Sequence, residues 1–143
     1  MSNPEEIGNA LVDAVNNHDL KALMRYYSQN AVFVAPGGVA EGHDQIHSYF
    51  EHFLKAFPDL RVTLWAMIED KGDRVYEWSL SATHTGPFLA PGGGTLRPTG
   101  RTVVTRVCSV HAMENGLVLS SRIYFDQLDL LLQLGTRLDL GDD

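Results

Sequence analysis

The residues best suited to chemistry stand near the end of the chain, at Tyr124-Phe125-Asp126-Gln127. An acid sits there beside aromatics, where a last strand gives way to the apolar run Leu128-Asp129-Leu130-Leu131-Leu132-Gln133-Leu134, which stops at Gly135. Burial disfavours the charged form of a carboxylate and so raises its pKa. At the mouth of an apolar cavity Asp126 would therefore suit general acid/base work. The alternative is an N-cap, with the carboxylate accepting from the first-turn N–H groups of the following helix. His84 precedes Gly86-Pro87 and has two readings: it polarises a substrate carbonyl or holds Asp126 from the cavity side, or its ring ties down the turn. Arg106 lies mid-strand with Val104, Cys108 and Val110 on its face. Facing inward it needs an anion, from the protein or from a substrate; facing outward it is solvated or at a subunit contact. Arg122 shares a face with Tyr124 and Asp126, where it would lower the acid's pKa.

Other groups carry less. His43, His47 and Glu51 recur every four residues, as metal ligands on a helix do, but they flank the polar side of their helix and no metal is expected. Gly92-Gly93-Gly94 lacks the Lys-Ser/Thr and the strand-to-helix setting of a phosphate loop, which leaves a pocket lid or a plain surface loop. The single cysteine, Cys108, sits in a valine-rich strand and excludes an internal disulfide. Tyr27, Tyr49 and Tyr124 are possible phenol donors to an enolate oxygen.

These residues depend on elements that patterning makes visible. Ser2 or Asn3 caps a first helix with Pro4 in its opening turn and Ile7, Leu11, Ala14 and Val15 inward. Asp19 caps a second, with Leu20, Leu23, Met24 and Tyr27 inward. Residues 31–34 form a short strand ended by Pro36-Gly37-Gly38. The third helix follows Gly42 and turns Ile46, Tyr49, Phe50, Phe53, Leu54 and Phe57 to the core. Four long strands come next, over 60–69, 74–84, 101–113 and 117–126. In the second of these Tyr76, Trp78, Leu80, Ala82 and His84 share one face, and Asn115-Gly116 marks the hairpin before the last. Helices first and a strand meander after predict an α+β domain over 1–143, with the N-terminal helices on the concave face of a curved antiparallel sheet. Between them lies an apolar pocket walled by Tyr49, Phe53, Trp78 and Phe88, with Arg106 and Tyr124 as further substrate contacts.

Composition narrows the function. Of 143 residues, 44% are hydrophobic and 20% charged, which suits one domain with a sizeable core. The net charge of −7 with no basic stripe argues against nucleic acid. No apolar run reaches membrane-spanning length, and the polar start Met1-Ser2-Asn3-Pro4-Glu5-Glu6 is no leader, so a cytoplasmic protein is expected.

Five stretches in sequence order resemble the SnoaL-like polyketide cyclase family of the nuclear transport factor/ketosteroid isomerase-like superfamily. They are Asn17-His18-Asp19-Leu20, Phe57-Pro58-Asp59-Leu60-Arg61, Thr83-His84-Thr85-Gly86-Pro87-Phe88, Pro98-Thr99-Gly100-Arg101, and Tyr124-Phe125-Asp126-Gln127 with Gln133-Leu134-Gly135. The resemblance implies a cone-shaped α+β barrel, oligomeric, with neither metal nor organic cofactor. It implies an intramolecular aldol closure of a polyketide ring with the acid at Asp126 as general acid/base, although close relatives hydroxylate polyketides instead. The chain departs from the family pattern at Ala35, where an acid or histidine is common, at residues 120–123, and in a longer 89–97 loop.

The expectation is thus a cofactor-free enzyme that removes an acidic C–H proton from a polyketide or related β-dicarbonyl compound. An isomerase, a hydrolase or a cofactor-free hydroxylase would use the same pocket, and a non-catalytic ligand-binding or dimerising module is the reading of another class. An apolar or aromatic small molecule is the expected ligand, and a homodimer or higher homo-oligomer the expected assembly.

Overall fold

The computed structural model describes residues 4–141, with side chains from residue 6 onward. Three helices and two strands come before the long meander: α1 (Pro4–Asn16), α2 (Leu20–Met24), β1 (Tyr27–Ala35), β2 (Gly38–Glu41) and α3 (Gly42–Ala56). The meander comprises β3 (Arg61–Asp70), β4 (Asp73–Thr83), β5 (Phe88–Leu89), β6 (Thr95–Leu96), β7 (Thr102–Glu114) and β8 (Leu117–Phe125), and α4 (Gln127–Gln133) follows it. The predicted class holds: an α+β molecule with helices against a curved sheet. The six-stranded sheet runs β2-β1-β8-β7-β4-β3 and stays open, with β2 and β3 at its edges. Its pairs are antiparallel except β1 with β8, which run parallel because the chain passes through α3 and the whole meander between them. β5 and β6 form a separate small hairpin inside the glycine-rich loop.

Local signals explain most boundaries. Asp19 caps α2 by accepting from the Ala22 N–H at 3.0 Å. Tyr27, read as helical, instead opens β1, because α2 ends at Met24. β2, which the sequence pattern did not mark as an element, pairs back on β1 in a tight hairpin across Pro36-Gly37. The turn from β7 to β8 has Asn115 and Gly116 both at positive φ, the backbone that a two-residue hairpin requires. The predicted cap at Ser2 or Asn3 lies outside the described residues.

Packing follows the predicted faces. One buried cluster joins Ile7, Leu11, Leu23, Met24, Phe33 and Ile46. A second joins Ala56, Phe57, Leu60, Val103, Leu130 and Leu134, so that α4 packs with the end of α3 and the start of β7. Asn16 ties α1 to β3, donating from Nδ2 to the Val62 carbonyl at 3.0 Å and accepting from the Val62 N–H at 2.7 Å. These contacts fix the helices over the concave face and leave a hollow between them.

Candidate active site

The hollow is a cavity of about 140 Å³ between α1, α2, α3 and the concave face of the sheet. Tyr49, Phe53 and Trp78 line it as expected, joined by Phe33, Phe50 and Phe57. The α3 aromatics are held in tilted and edge-on stacks, with Phe33 to Tyr49 at 4.7 Å and Tyr49 to Phe53 at 5.0 Å between ring centroids. Such pairs fix ring orientation beyond what area burial does.

Strand register sets the polar groups. On the concave face β4, β7 and β8 place Arg74 opposite His111 and His111 opposite Ser121. The next row carries Tyr76, Ser109 and Ile123. The Trp78 indole N–H donates to the Ser109 hydroxyl at 2.7 Å, which fixes the indole plane in the wall. His111, only 4% exposed, lines the cavity and meets the Tyr76 ring edge-on at 5.2 Å. Burial, and then the neighbouring Arg74 charge, press its pKa down to about 4, so the ring is neutral at neutral pH. Burial pushes the Tyr27 phenol up to about 12, with neighbouring Ser121 opposing, and burial raises Tyr49 as well. Both tyrosines therefore remain hydrogen-bond donors. Thr105 adds a hydroxyl that has no partner among the described residues.

Several expected positions need correction. Asp126 is exposed and outside the cavity; it caps α4, its Oδ1 accepting from the Asp129 N–H at 2.9 Å. The sharing of a face by Arg122, Tyr124 and Asp126 is correct, but that face is the outer one: Arg122 is exposed and Tyr124 is 56% exposed. The inward residues of β8 are Ser121, Ile123 and Phe125. Arg106 likewise points outward with Val104, whereas Thr105, Val107, Ser109 and His111 of β7 line the cavity. His84 is wholly buried but does not line the cavity. Its Nδ1 meets the Thr99 hydroxyl at 2.9 Å and the Thr99 N–H at 3.2 Å, and its ring packs on Phe57, which is the turn-tying reading. Burial lowers its pKa, with a backbone hydrogen bond at Gly86 opposing. Phe88 is buried behind the wall, against Phe53 and Phe57, and does not line it. His43 is engaged with the Tyr27 carbonyl at 2.7 Å, and no group of potential metal ligands forms among the described residues.

This arrangement of helices and curved sheet has counterparts among known proteins. A model of the SnoaL-like domain family matches residues 9–121. The chain belongs to that family. No curated protein matches the sequence. Among solved structures this SnoaL-like domain is similar to AclR of Streptomyces galilaeus, a candidate hydroxylase, with a TM-score of 0.80 and 23% identity over 96% of this chain and 87% of that one. It is similar to a candidate SnoaL-like polyketide cyclase of Jannaschia sp. CCS1 (TM-score 0.81, 18% identity, 96% of this chain and 99% of that one). It is also similar to IdmH of Streptomyces antibioticus, a candidate polyketide cyclase (TM-score 0.78, 21% identity, 94% of this chain and all of that one, 100%).

His111, Thr105 and Ser109, which line the cavity, were missed as site residues of this SnoaL-like domain. His111 and Ser109 share a strand parity with Val103 and Val107, and that signal was present. The pairing of Arg74 with His111 depends on strand register, which the sequence does not display.

Proposed function

We propose that this SnoaL-like domain is a cofactor-free acid/base enzyme of the polyketide cyclase type, which closes a ring by an intramolecular aldol reaction. The supporting observation is a cavity walled by aromatics in which one neutral imidazole, His111, stands near phenols that stay protonated. In this reading His111 accepts the proton from a carbon between or beside carbonyls. The enolate oxygen receives hydrogen bonds from Tyr27 and Tyr49, which stabilise charge where it develops. The enolate carbon attacks the second carbonyl and forms the new C–C bond, and the alkoxide takes the proton back from the imidazolium. A base of low pKa suits only an acidic C–H, as in a β-dicarbonyl compound. A cavity near 140 Å³ matches about one six-membered ring, so the reacting end of the substrate is what it would enclose.

Exchange of the central C–H protons of acetylacetone in D2O, followed by NMR, tests this chemistry with a β-dicarbonyl probe no larger than one ring. The wild-type protein should accelerate exchange, and His111→Gln should lower the acceleration by roughly two orders of magnitude. A second reading, a ligand-binding module without catalysis, is favoured by the lack of any carboxylate among the described residues that line the cavity. Binding of acetylacetone with no acceleration of exchange would select it.

A further inference from the structure

A buried guanidinium stands beside the candidate base. Arg74 lies at the start of β4, is only 8% exposed, and is the direct cross-strand neighbour of His111. Its Nε and Nη1 are buried without a hydrogen-bond partner. It hydrogen-bonds the Tyr76 phenol, which does not neutralise it. Among the described residues no carboxylate forms an ion pair with it; Glu69, opposite it on β3, is exposed. The other groups around the His111 ring bring no charge to offset it. They are the Tyr76 phenol of β4, Ser121 opposite His111 on β8, and the Tyr27 phenol, which lines the same cavity. Arg122, next to Ser121, is on the outer face. A guanidinium cannot shed its proton when buried, and an unpaired buried charge costs stability. Such an exception in a native fold calls for a use, and the titratable ring directly across the strand pair is His111.

We propose that Arg74 is a positioning residue whose fixed charge keeps the His111 imidazole unprotonated, acting on the cavity through that ring and not by touching the ligand. A like charge close by disfavours the protonated ring, and the buried setting screens it less than water would. Arginine suits the task because it stays charged where a lysine shifts its pKa and neutralises. The part of Arg74 in turnover rests on His111 being the base of the proposed reaction; its effect on the imidazole does not. In that reaction the charge acts twice. It keeps the base free to accept a proton in mildly acid conditions. It also makes the imidazolium a strong acid, which returns its proton readily to the alkoxide once the C–C bond has formed.

NMR titration of the His111 ring in the whole protein, as wild type, Arg74→Met and Arg74→Lys, tests this. Arg74→Met replaces the charge by an apolar chain of similar length, and the His111 pKa should rise by roughly one unit. Arg74→Lys, titrated over the acid range where a lysine keeps its proton, should hold the pKa near the wild-type value. Should Arg74→Met fail to fold, Arg74→Gln removes the charge while keeping a polar head and gives the same comparison. An unchanged His111 pKa in the uncharged variant, or an equal rise in Arg74→Lys, would overturn the inference. Exchange of the central protons of acetylacetone, followed against pH, separates it from the proposed function. The acid limb of the exchange rate should move up with the His111 pKa in Arg74→Met and return in Arg74→Lys. If the ring titrates as stated and none of the proteins accelerates exchange, the proposed base fails and the tuning of the imidazole by Arg74 stands.

Discussion

Replacing Asp126 by alanine removes the acceptor for the Asp129 N–H at the start of α4 and should cost about 1 kcal/mol of stability. Asp126→Asn, an equally good cap, should cost almost nothing, and neither change should alter activity at the cavity. Chemical denaturation paired with an activity assay checks both. His111 gives a pH signature. Its pKa falls from 6.5 in the unfolded chain to about 4 in the fold, so between those values the unfolded state holds more protons. Stability is therefore full above pH 6.5 and lost as pH falls toward 4, by about 3 kcal/mol at about 1.4 kcal/mol per unit. His84 and His52 are shifted the same way by burial, so the comparison needed is wild type against His111→Gln, whose acid-side slope should be shallower. Equal slopes would show that the imidazole is not held neutral by its surroundings. At this scale the sequence was legible in types and misread in direction. The acid at Asp126 was found, yet Arg122, Tyr124 and Asp126 together put charge and polarity on one parity of β8 and Ser121, Ile123 and Phe125 on the other. A one-residue change of parity exchanges cavity for solvent, and the charged parity belongs outside.

The aromatic face of α3 and the alternation of β4 were readable because period 3.6 and period 2 are written directly in residue order. The short pairings of β2, β5 and β6 were not, since two to four residues carry no usable period. The loop bearing β5 and β6 is anchored where the Thr85 and Gly86 N–H groups donate to the Ala56 carbonyl, at 3.1 and 3.0 Å. A Cβ at Gly86 would collide with the Lys55 carbonyl oxygen at the end of α3. Gly86→Ala must therefore push the loop off the helix, and should destabilise the protein by roughly 1–3 kcal/mol. It should also loosen the His84–Thr99 contacts that follow. Hydrogen exchange at Gly100, whose N–H donates to the His84 carbonyl, should quicken in that variant; unchanged exchange and stability would mean that the close approach is dispensable.

Across the whole molecule the two faces of the sheet differ in what covers them. The concave face carries the helices and the cavity, while the outer face shows Trp65 at 66%, Val104 at 63% and Tyr124 at 56% exposure. Large apolar side chains gathered on one sheet face favour a protein contact, which makes a dimer or larger homo-oligomer the expected assembly. Sedimentation should show it at micromolar concentration and Val104→Glu should weaken it; a wild-type monomer of 15.8 kDa would count against it. The same division gives an internal control for the cavity. Trp78 is in the cavity wall with its N–H on Ser109, whereas Trp65 is on the outer face with its N–H on Ser79. Titration of ¹⁵N-labelled protein with toluene, read at the two indole N–H signals, therefore tests the cavity directly. The Trp78 signal should move and saturate while the Trp65 signal stays fixed. Movement of Trp65 alone, or of neither signal, would contradict a ligand site between the helices and the sheet.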